Sequence, residues 1–157
     1  MADLTASTVL KTKVRGRNSY PIANGVTLYE GALIGLEGGY ANHWADGAND
    51  VFAGICLGPS EGLGAGDAMT GTDAAPLPSV RVDESGVTVM HVATLAGTPT
   101  QAKVGDLVYC STSNLANITL TIGALNHPIG YMSAWRSATD VDITFFTPAE
   151  MLAQATA

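Results

Sequence analysis

The stretch that decides the fold is ALIGLEGGYAN, residues 32–42. Two short, largely apolar runs flank the pair Gly38-Gly39, a pattern typical of two strands joined by a turn. Similar apolar runs, separated by glycine, proline and polar residues, continue along the chain to residue 145. A series of short strands without helical crossovers predicts an all-β fold, a compact antiparallel β-barrel or sandwich.

The predicted strands lie at 26–29, 32–37, 40–42, 51–57, 80–82, 87–92, 107–110, 118–122, 129–132 and 141–145. The runs at 80–82 and 87–92 surround a turn at 83–86, so we expect them to pair as a hairpin. Residues 58–79 are rich in Gly, Asp, Ala and Pro, and this composition predicts a loop.

The composition indicates one folded domain. The chain has 157 residues, of which 46% are hydrophobic, enough for a sizeable core. Its 18 glycines and 7 prolines argue against a helix bundle. Only 13% of the residues are charged, about half the usual fraction. A surface with so few charges indicates a protein that lies against partners.

Charge is unevenly distributed along the chain. Residues 18–157 contain three basic and thirteen acidic side chains, a net charge of −10. Residues 1–17 have a net charge of +3, from the residues Lys11, Lys13, Arg15, Arg17 and Asp3. An acidic body repels phosphate backbones, so nucleic acid is not an expected partner of the body.

We divide the chain into an extended N-terminal arm at 1–25, a β domain at 26–147 and a short C-terminal helix with a tail at 148–157. Residues 10–17, LKTKVRGR, alternate with period two and place four cations on one edge of an extended segment. We interpret this segment as a basic arm that lies on a partner, and a solvated edge strand is the alternative. The helix is predicted from a capping box at 147–150, TPAE, with proline at the first helical position.

Neither a membrane nor an oxidising compartment is indicated. Residues 107–135 contain no Asp, Glu, Lys or Arg, but Asn, His and Pro interrupt them too often for a membrane span. The N-terminus has no apolar core of a signal peptide. Cys56 and Cys110 lie far apart in the sequence, so we predict buried free thiols, with a disulfide between them as the alternative.

No motif predicts a convincing active site. Residues 58–62, GPSEG, match the nucleophile elbow of serine hydrolases, but a glycine-rich segment follows where that motif needs a helix. A hydrolase that uses Ser60 is therefore only an alternative. The residues His43, His91 and His127 lack the spacing of a zinc site. The carboxylates Asp140 and Asp142 lie on an alternating strand, and we interpret them as solvated. We expect no enzymatic activity, metal or cofactor.

Several segments resemble a known family by their order. They are GVTLYEGALIGL at 25–36, GYA at 39–41, FAGI at 52–55, VRV at 80–82, TQAKVGDLVY at 100–109, PIGY at 128–131 and DVDI at 140–143. In this order they resemble the small capsid decoration, or cement, proteins of tailed bacteriophages. The resemblance covers about residues 20–147 and consists of hydrophobic residues and glycines rather than a catalytic signature.

This resemblance implies a non-enzymatic virion protein on the outer surface of the capsid. It implies a β domain, often a homotrimer, that binds the major capsid protein, bridges neighbouring coat subunits and resists the pressure of internal DNA. The alternatives are a tail or baseplate β module, or a glycan-binding module of a virion. The expected contact residues are Lys11, Lys13, Arg15, Arg17 and Tyr20, with Trp44 and Trp135 as further exposed aromatic candidates.

Overall fold

The computed structural model describes residues 16–45, 51–59, 69–73, 77–123 and 127–151. The described part of the chain has twelve strands: β1 (Arg17–Pro21), β2 (Thr27–Leu28), β3 (Leu33–Glu37), β4 (Tyr40–His43), β5 (Val51–Pro59), β6 (Met69–Thr70), β7 (Ser79–Asp83), β8 (Thr88–Val92), β9 (Leu107–Cys110), β10 (Ile118–Thr119), β11 (Gly130–Ser137) and β12 (Asp140–Phe145). Two 3₁₀ turns, Gln101–Lys103 and Leu115–Asn117, and a helix at 148–151 complete it. The all-β prediction is confirmed.

The first sheet has the strand order β1-β7-β5-β3-β4, and every neighbouring pair is antiparallel. The sheet curls until the chain beyond β1 reaches β4, where Ile22 and Ala41 form a parallel bridge. The N–H of Ala23 donates to the Ala41 carbonyl at 3.0 Å, which fastens the two ends of the sheet together. β2 and β6 form a separate two-stranded ribbon.

The second sheet has the strand order β10-β9-β11-β12-β8, also antiparallel. β7 therefore belongs to the first sheet and β8 to the second, so the predicted hairpin between them is wrong. The turn itself exists, because the Ser85 N–H donates to the Asp83 carboxylate at 3.1 Å. It carries the chain between sheets, since the Glu84 N–H donates to the Gly16 carbonyl and the Phe145 N–H to the Val87 carbonyl.

Two hydrophobic cores result from this arrangement. The smaller core lies inside the curl of the first sheet and contains Ile22, Leu28, Ile34, Ala41, Ala53, Cys56, Val80 and Val82. The larger core joins side chains of the second sheet to Leu33, Trp44 and Phe52 of the first. Consecutive strand residues point to opposite faces, so Leu33 packs into one core and Ile34 into the other. Burial on both faces explains the apolar runs of this sheet.

Residues 16–25 are the described part of the predicted arm, and they lie on the first sheet. β1 pairs with β7 over its whole length, and Ile22 has no exposed surface.

The segment 58–79, predicted as a loop, contains parts of two strands. β5 extends to Pro59, and β6 pairs with β2. The local sequence at β6 has few β-branched residues, so its pairing depends on the distant partner strand.

The predicted capping box is confirmed at the C-terminal helix. The Thr147 N–H donates to the Glu150 carboxylate at 3.1 Å, and the Glu150 N–H donates to the Thr147 hydroxyl at 3.2 Å. These bonds satisfy free donors of the first helical turn. Met151 anchors the helix in the larger core with 1% of its surface exposed. The rest of the predicted helix lies outside the described residues.

Both cysteines are buried free thiols, as predicted, and no disulfide joins them. Cys56 lies in the smaller core and Cys110 in the larger one. Burial raises the pKa of both thiols above the ordinary value, so both are protonated at neutral pH.

Candidate functional site

Of the five expected contact residues at 11–20, Arg17 and Tyr20 lie within the described part of the chain, and both are on β1. They are three positions apart, so they point to opposite faces of the strand. Arg17 is exposed, whereas Tyr20 is half-buried and packs against the smaller core. The Tyr20 hydroxyl donates to the Glu84 carboxylate at 2.5 Å. The other three candidates, Lys11, Lys13 and Arg15, lie outside the described residues.

A second arginine lies beside Arg17 on the outer face of the first sheet. In the antiparallel register, Arg17 is opposite Asp83 and Ser19 is opposite Arg81. Arg17, Ser19 and Arg81 therefore share one face, and the two arginines are diagonal neighbours across the strand pair. Both are exposed and line a shallow groove of about 230 Å³. We call Arg17 and Arg81 the arginine patch.

The carboxylates nearest the arginine patch bond to other groups. Asp83 accepts hydrogen bonds from the N–H and the hydroxyl of Ser85, at 3.1 and 2.5 Å. Glu84 accepts a hydrogen bond from the Tyr20 hydroxyl. Burial raises the pKa of Tyr20, and the bond to Glu84 raises it further. Within the described residues, no ion pair joins either arginine of the patch to an acid.

The two other basic residues in the described ranges bond within the chain. The Lys103 ammonium donates to the carbonyls of Gly97 and Thr98 at 2.7 and 3.0 Å. Arg136 donates two bonds of 2.8 Å to Asp142 and one of 3.1 Å to Asp140. The arginine patch thus differs from these cations in having side chains directed to solvent without an ion pair inside the described chain.

The pair Arg136–Asp142 corrects the interpretation of Asp142 as a solvated carboxylate. Asp142 is 8% exposed, and besides Arg136 it accepts the His91 N–H at 3.1 Å. The hydrogen bonds from Arg136 are the main reason that the pKa of Asp142 falls to about 2. Asp140 is half-exposed and contacts the His91 ring at 2.9 Å. This cluster ties β8, β11 and β12 together.

The lowered pKa of Asp142 predicts a loss of stability in acid. Because the folded-state pKa lies below the ordinary value of 3.8, the stabilisation is fully present above about pH 4 and is lost as the pH falls through about 2. Chemical denaturation between these pH values should show a steeper loss for wild type than for Asp142→Asn. Equal slopes for the two proteins would contradict the role of this ion pair.

Two of the three histidines, His43 and His91, do not take part in a catalytic triad in the described ranges. The His43 Nδ1 lies 2.8 Å from the Ser113 hydroxyl, and the His91 Nδ1 lies 2.9 Å from Asp140. Neither of these two imidazoles joins a hydroxyl to a carboxylate, which is the arrangement that activates a serine nucleophile. Ser60, the alternative nucleophile, lies outside the described residues.

Both tryptophans use their indole N–H groups within the fold. Trp44 is 1% exposed and donates to the Cys110 carbonyl at 2.8 Å, so its prediction as an exposed contact is wrong. Trp135 is half-buried and donates to the Pro99 carbonyl at 3.1 Å. The sequence could not separate these roles, because Trp44 is followed by polar residues that suggest exposure.

The described ranges contain neither a cluster of potential metal ligands nor a helix fit to span a membrane. Across them, no three His, Cys, Asp or Glu side chains come together as metal ligands. No helix within the same ranges is long and apolar enough to cross a membrane.

Comparisons with known proteins give one informative result. No protein-family model and no curated protein matches the sequence. A chain in a solved structure, the capsid of Myoviridae phage XM1, superposes with a TM-score of 0.51. The match covers 93% of this chain and 92% of that chain, at 18% sequence identity. The two chains share a fold.

This similarity extends over nearly the whole of both chains, so it concerns the complete two-sheet arrangement. Of the two residues of the arginine patch, sequence reasoning singled out Arg17 and missed Arg81. The sequence does indicate that the Arg81 side chain points outward, because a charged residue between Val80 and Val82 is an apolar–polar alternation. The missing information was the strand that pairs with it.

Proposed function

We propose that this protein is a non-enzymatic structural component of a phage virion. In this role it binds the outside of the assembled capsid and stabilises it by bridging neighbouring coat subunits. The observation that carries the proposal is the fold shared with a chain in the capsid of phage XM1, over more than nine-tenths of both chains. The resemblance of residues 20–147 to capsid decoration proteins points the same way.

The charge distribution supports attachment to a protein surface. The arginine patch faces solvent next to the basic segment that ends at Arg17, while the rest of the chain is strongly acidic. Such asymmetry favours an anionic partner at one side only. The major capsid protein is the partner that this role requires, and the outer capsid surface is the location.

We further propose that the protein acts as a homotrimer. A trimer presents three copies of the basic segment at once, so weak contacts reinforce one another through a high effective concentration. Light scattering after size-exclusion chromatography should give three times the chain mass. A monomer at all concentrations would contradict the trimer without affecting capsid binding.

A groove on the first sheet favours glycan binding as a second candidate function. It has a volume of about 530 Å³ and is lined by Ile22, Glu37, Tyr40, Asp73 and Leu77, among other residues. Tyr40 is 42% exposed, so its ring is open to a ligand. The carboxylates of Glu37 and Asp73 can accept hydrogen bonds from the hydroxyl groups of a sugar. A virion glycan-binding module would use such a site, in the tail or baseplate as well as on the capsid.

Co-sedimentation distinguishes these functions. We expect saturable binding of the full-length protein to undecorated capsids, weak binding to dissociated coat subunits, and none to purified tails. Binding to tails instead of capsids would support the tail or baseplate module. Binding to host surface polysaccharide that Tyr40→Ala abolishes, without capsid binding, would support the glycan-binding module.

A further inference from the structure

We propose that Arg17 and Arg81 together form a clamp for carboxylates on an acidic polypeptide surface of the coat. The inference rests on the proposed function for the identity of the partner. It adds the residues that make the contact and the chemistry that they recognise, and it brings in Arg81, which lies 64 positions away from Arg17 in the sequence.

The geometry of the strand pair sets the spacing of the clamp. Ser19 and Arg81 are directly opposite, and Arg17 lies two positions before Ser19 on the same face. Diagonal neighbours of this kind are about 7–8 Å apart at Cα, so the two guanidinium groups can hold separate carboxylates or enclose one. Each guanidinium presents a planar fork of donors that matches the two oxygens of a carboxylate.

The electrostatics of the free protein favour an external anion at this position. Lys103 and Arg136 are engaged by carbonyl and carboxylate oxygens of the chain. Near the patch, by contrast, Asp83 bonds to Ser85 and Glu84 bonds to Tyr20. Asp83 is opposite Arg17, but within the described residues it forms no ion pair with either arginine. The two arginines lie beside each other as like charges, and an anionic partner would relieve their repulsion.

The sheet edge favours contact through side chains rather than through strand addition. On β1, the Asn18 side chain accepts the Ser19 N–H at 3.0 Å, and Pro21 has no N–H to offer. These features blunt an edge strand against pairing with another chain. The clamp on the adjacent outer face is then the means by which this part of the sheet recognises a partner.

An acidic protein surface fits this site better than a nucleic acid does. Residues 18–157 have a net charge of −10, and Asp83 lies on the same face as the clamp. A DNA duplex brings a continuous row of phosphates. The acidic residues on either side of the two arginines would repel those phosphates. A protein can place a few carboxylates opposite the arginines and avoid the neighbouring acids.

The test compares Arg17→Ser/Arg81→Ser with a control of equal charge change, Gln101→Glu/Ala116→Glu. Both control positions are exposed and lie on the 3₁₀ turns that flank the second sheet. In co-sedimentation with undecorated capsids near physiological salt, we expect the double serine variant to bind about tenfold more weakly. The control should stay within about twofold, and Arg17→Lys/Arg81→Lys should be intermediate because it keeps the charge without the fork.

Two probes separate the clamp from the proposed function. The full-length protein should bind a fluorescent oligoglutamate peptide more tightly than a DNA duplex at the same salt, and the serine variant should lose the peptide. If the double serine variant and the glutamate control bind capsids as tightly as wild type does, the clamp is overturned and the proposed function stands. If wild type binds the peptide through the clamp but does not bind capsids, the proposed function fails and the coat is not the partner. Tighter binding to the duplex overturns the clamp's specificity for carboxylates.

Thermal melting is measured for each variant to confirm folding. Arg17 and Arg81 are exposed and make no described bond within the chain, so all variants should melt close to wild type. A large drop for the serine variant would show that the arginines support the sheet instead of a partner, and this result also overturns the clamp.

Discussion

Trp44→Ala is expected to lower the free energy of unfolding by about 3–5 kcal/mol, the range found for removal of a buried large aromatic side chain. Trp44 is 1% exposed and lies immediately after β4. Its ring meets Phe52 edge to face at 5.5 Å between centroids, and its N–H donates to the Cys110 carbonyl at 2.8 Å. One side chain therefore joins the first sheet to the second, and its loss leaves a cavity between them.

Two control variants locate the origin of this loss. Trp44→Phe keeps an aromatic ring but leaves the buried Cys110 carbonyl without its donor, so it should cost about 1–3 kcal/mol. Trp135→Ala removes the same atoms from a half-buried position and should cost less than Trp44→Ala. Urea denaturation followed by circular dichroism measures all three. A smaller loss for Trp44→Ala than for Trp135→Ala would contradict the bridging role of Trp44.

The fold class could be predicted because it depends on local patterns. Period-two alternation, glycine turns and the TPAE capping box each reflect the conformation of a few neighbouring residues. The structure accordingly has strands near most predicted positions and both capping bonds at Thr147 and Glu150.

Long-range pairing could not be predicted from those patterns. The run at 80–82 is typical of half of a hairpin with 87–92. Its partners are instead β1 and β5 of the first sheet, whereas β8 belongs to the second sheet. Alternation specifies which side chains share a face of the strand, but it does not specify which other strand pairs with it. The same limit concealed the arginine patch, whose two members meet only through the register of β1 and β7.

The roles of polar and aromatic residues were equally dependent on distant partners. The sequence pattern predicts Asp142 to be a solvated charge on an alternating strand, but Asp142 is 8% exposed and accepts hydrogen bonds from Arg136, six positions earlier. Trp44 is buried because residues of the second sheet cover it, including Cys110, 66 positions later. Such burial is a property of the assembled sheets.

Capsids that lack this protein are expected to assemble with normal shape and to release their DNA at a lower temperature than decorated capsids. A protein that binds the finished shell but not separated coat subunits stabilises the shell by RT ln(1 + [L]/Kd) at each site. At a free concentration 100-fold above Kd, this amounts to about 2.7 kcal/mol per site, repeated over many sites. The effect needs no catalysis, only a preference for the assembled lattice. Release of DNA on heating or under osmotic stress, followed with an intercalating dye, measures it.

Adding back purified protein should restore resistance in a saturable way, because the stabilisation follows occupancy of a finite number of sites. The Arg17→Ser/Arg81→Ser variant should need about tenfold more protein for the same protection if the clamp makes the contact. The acidic body matters here as well, since a chain with a net charge of −10 over residues 18–157 stays off the DNA that neighbouring particles release. Protection by each protein at the concentration where its own co-sedimentation saturates would link attachment to stability. If decorated and bare particles lose DNA at the same temperature, the stabilising function is wrong even where the protein binds the shell.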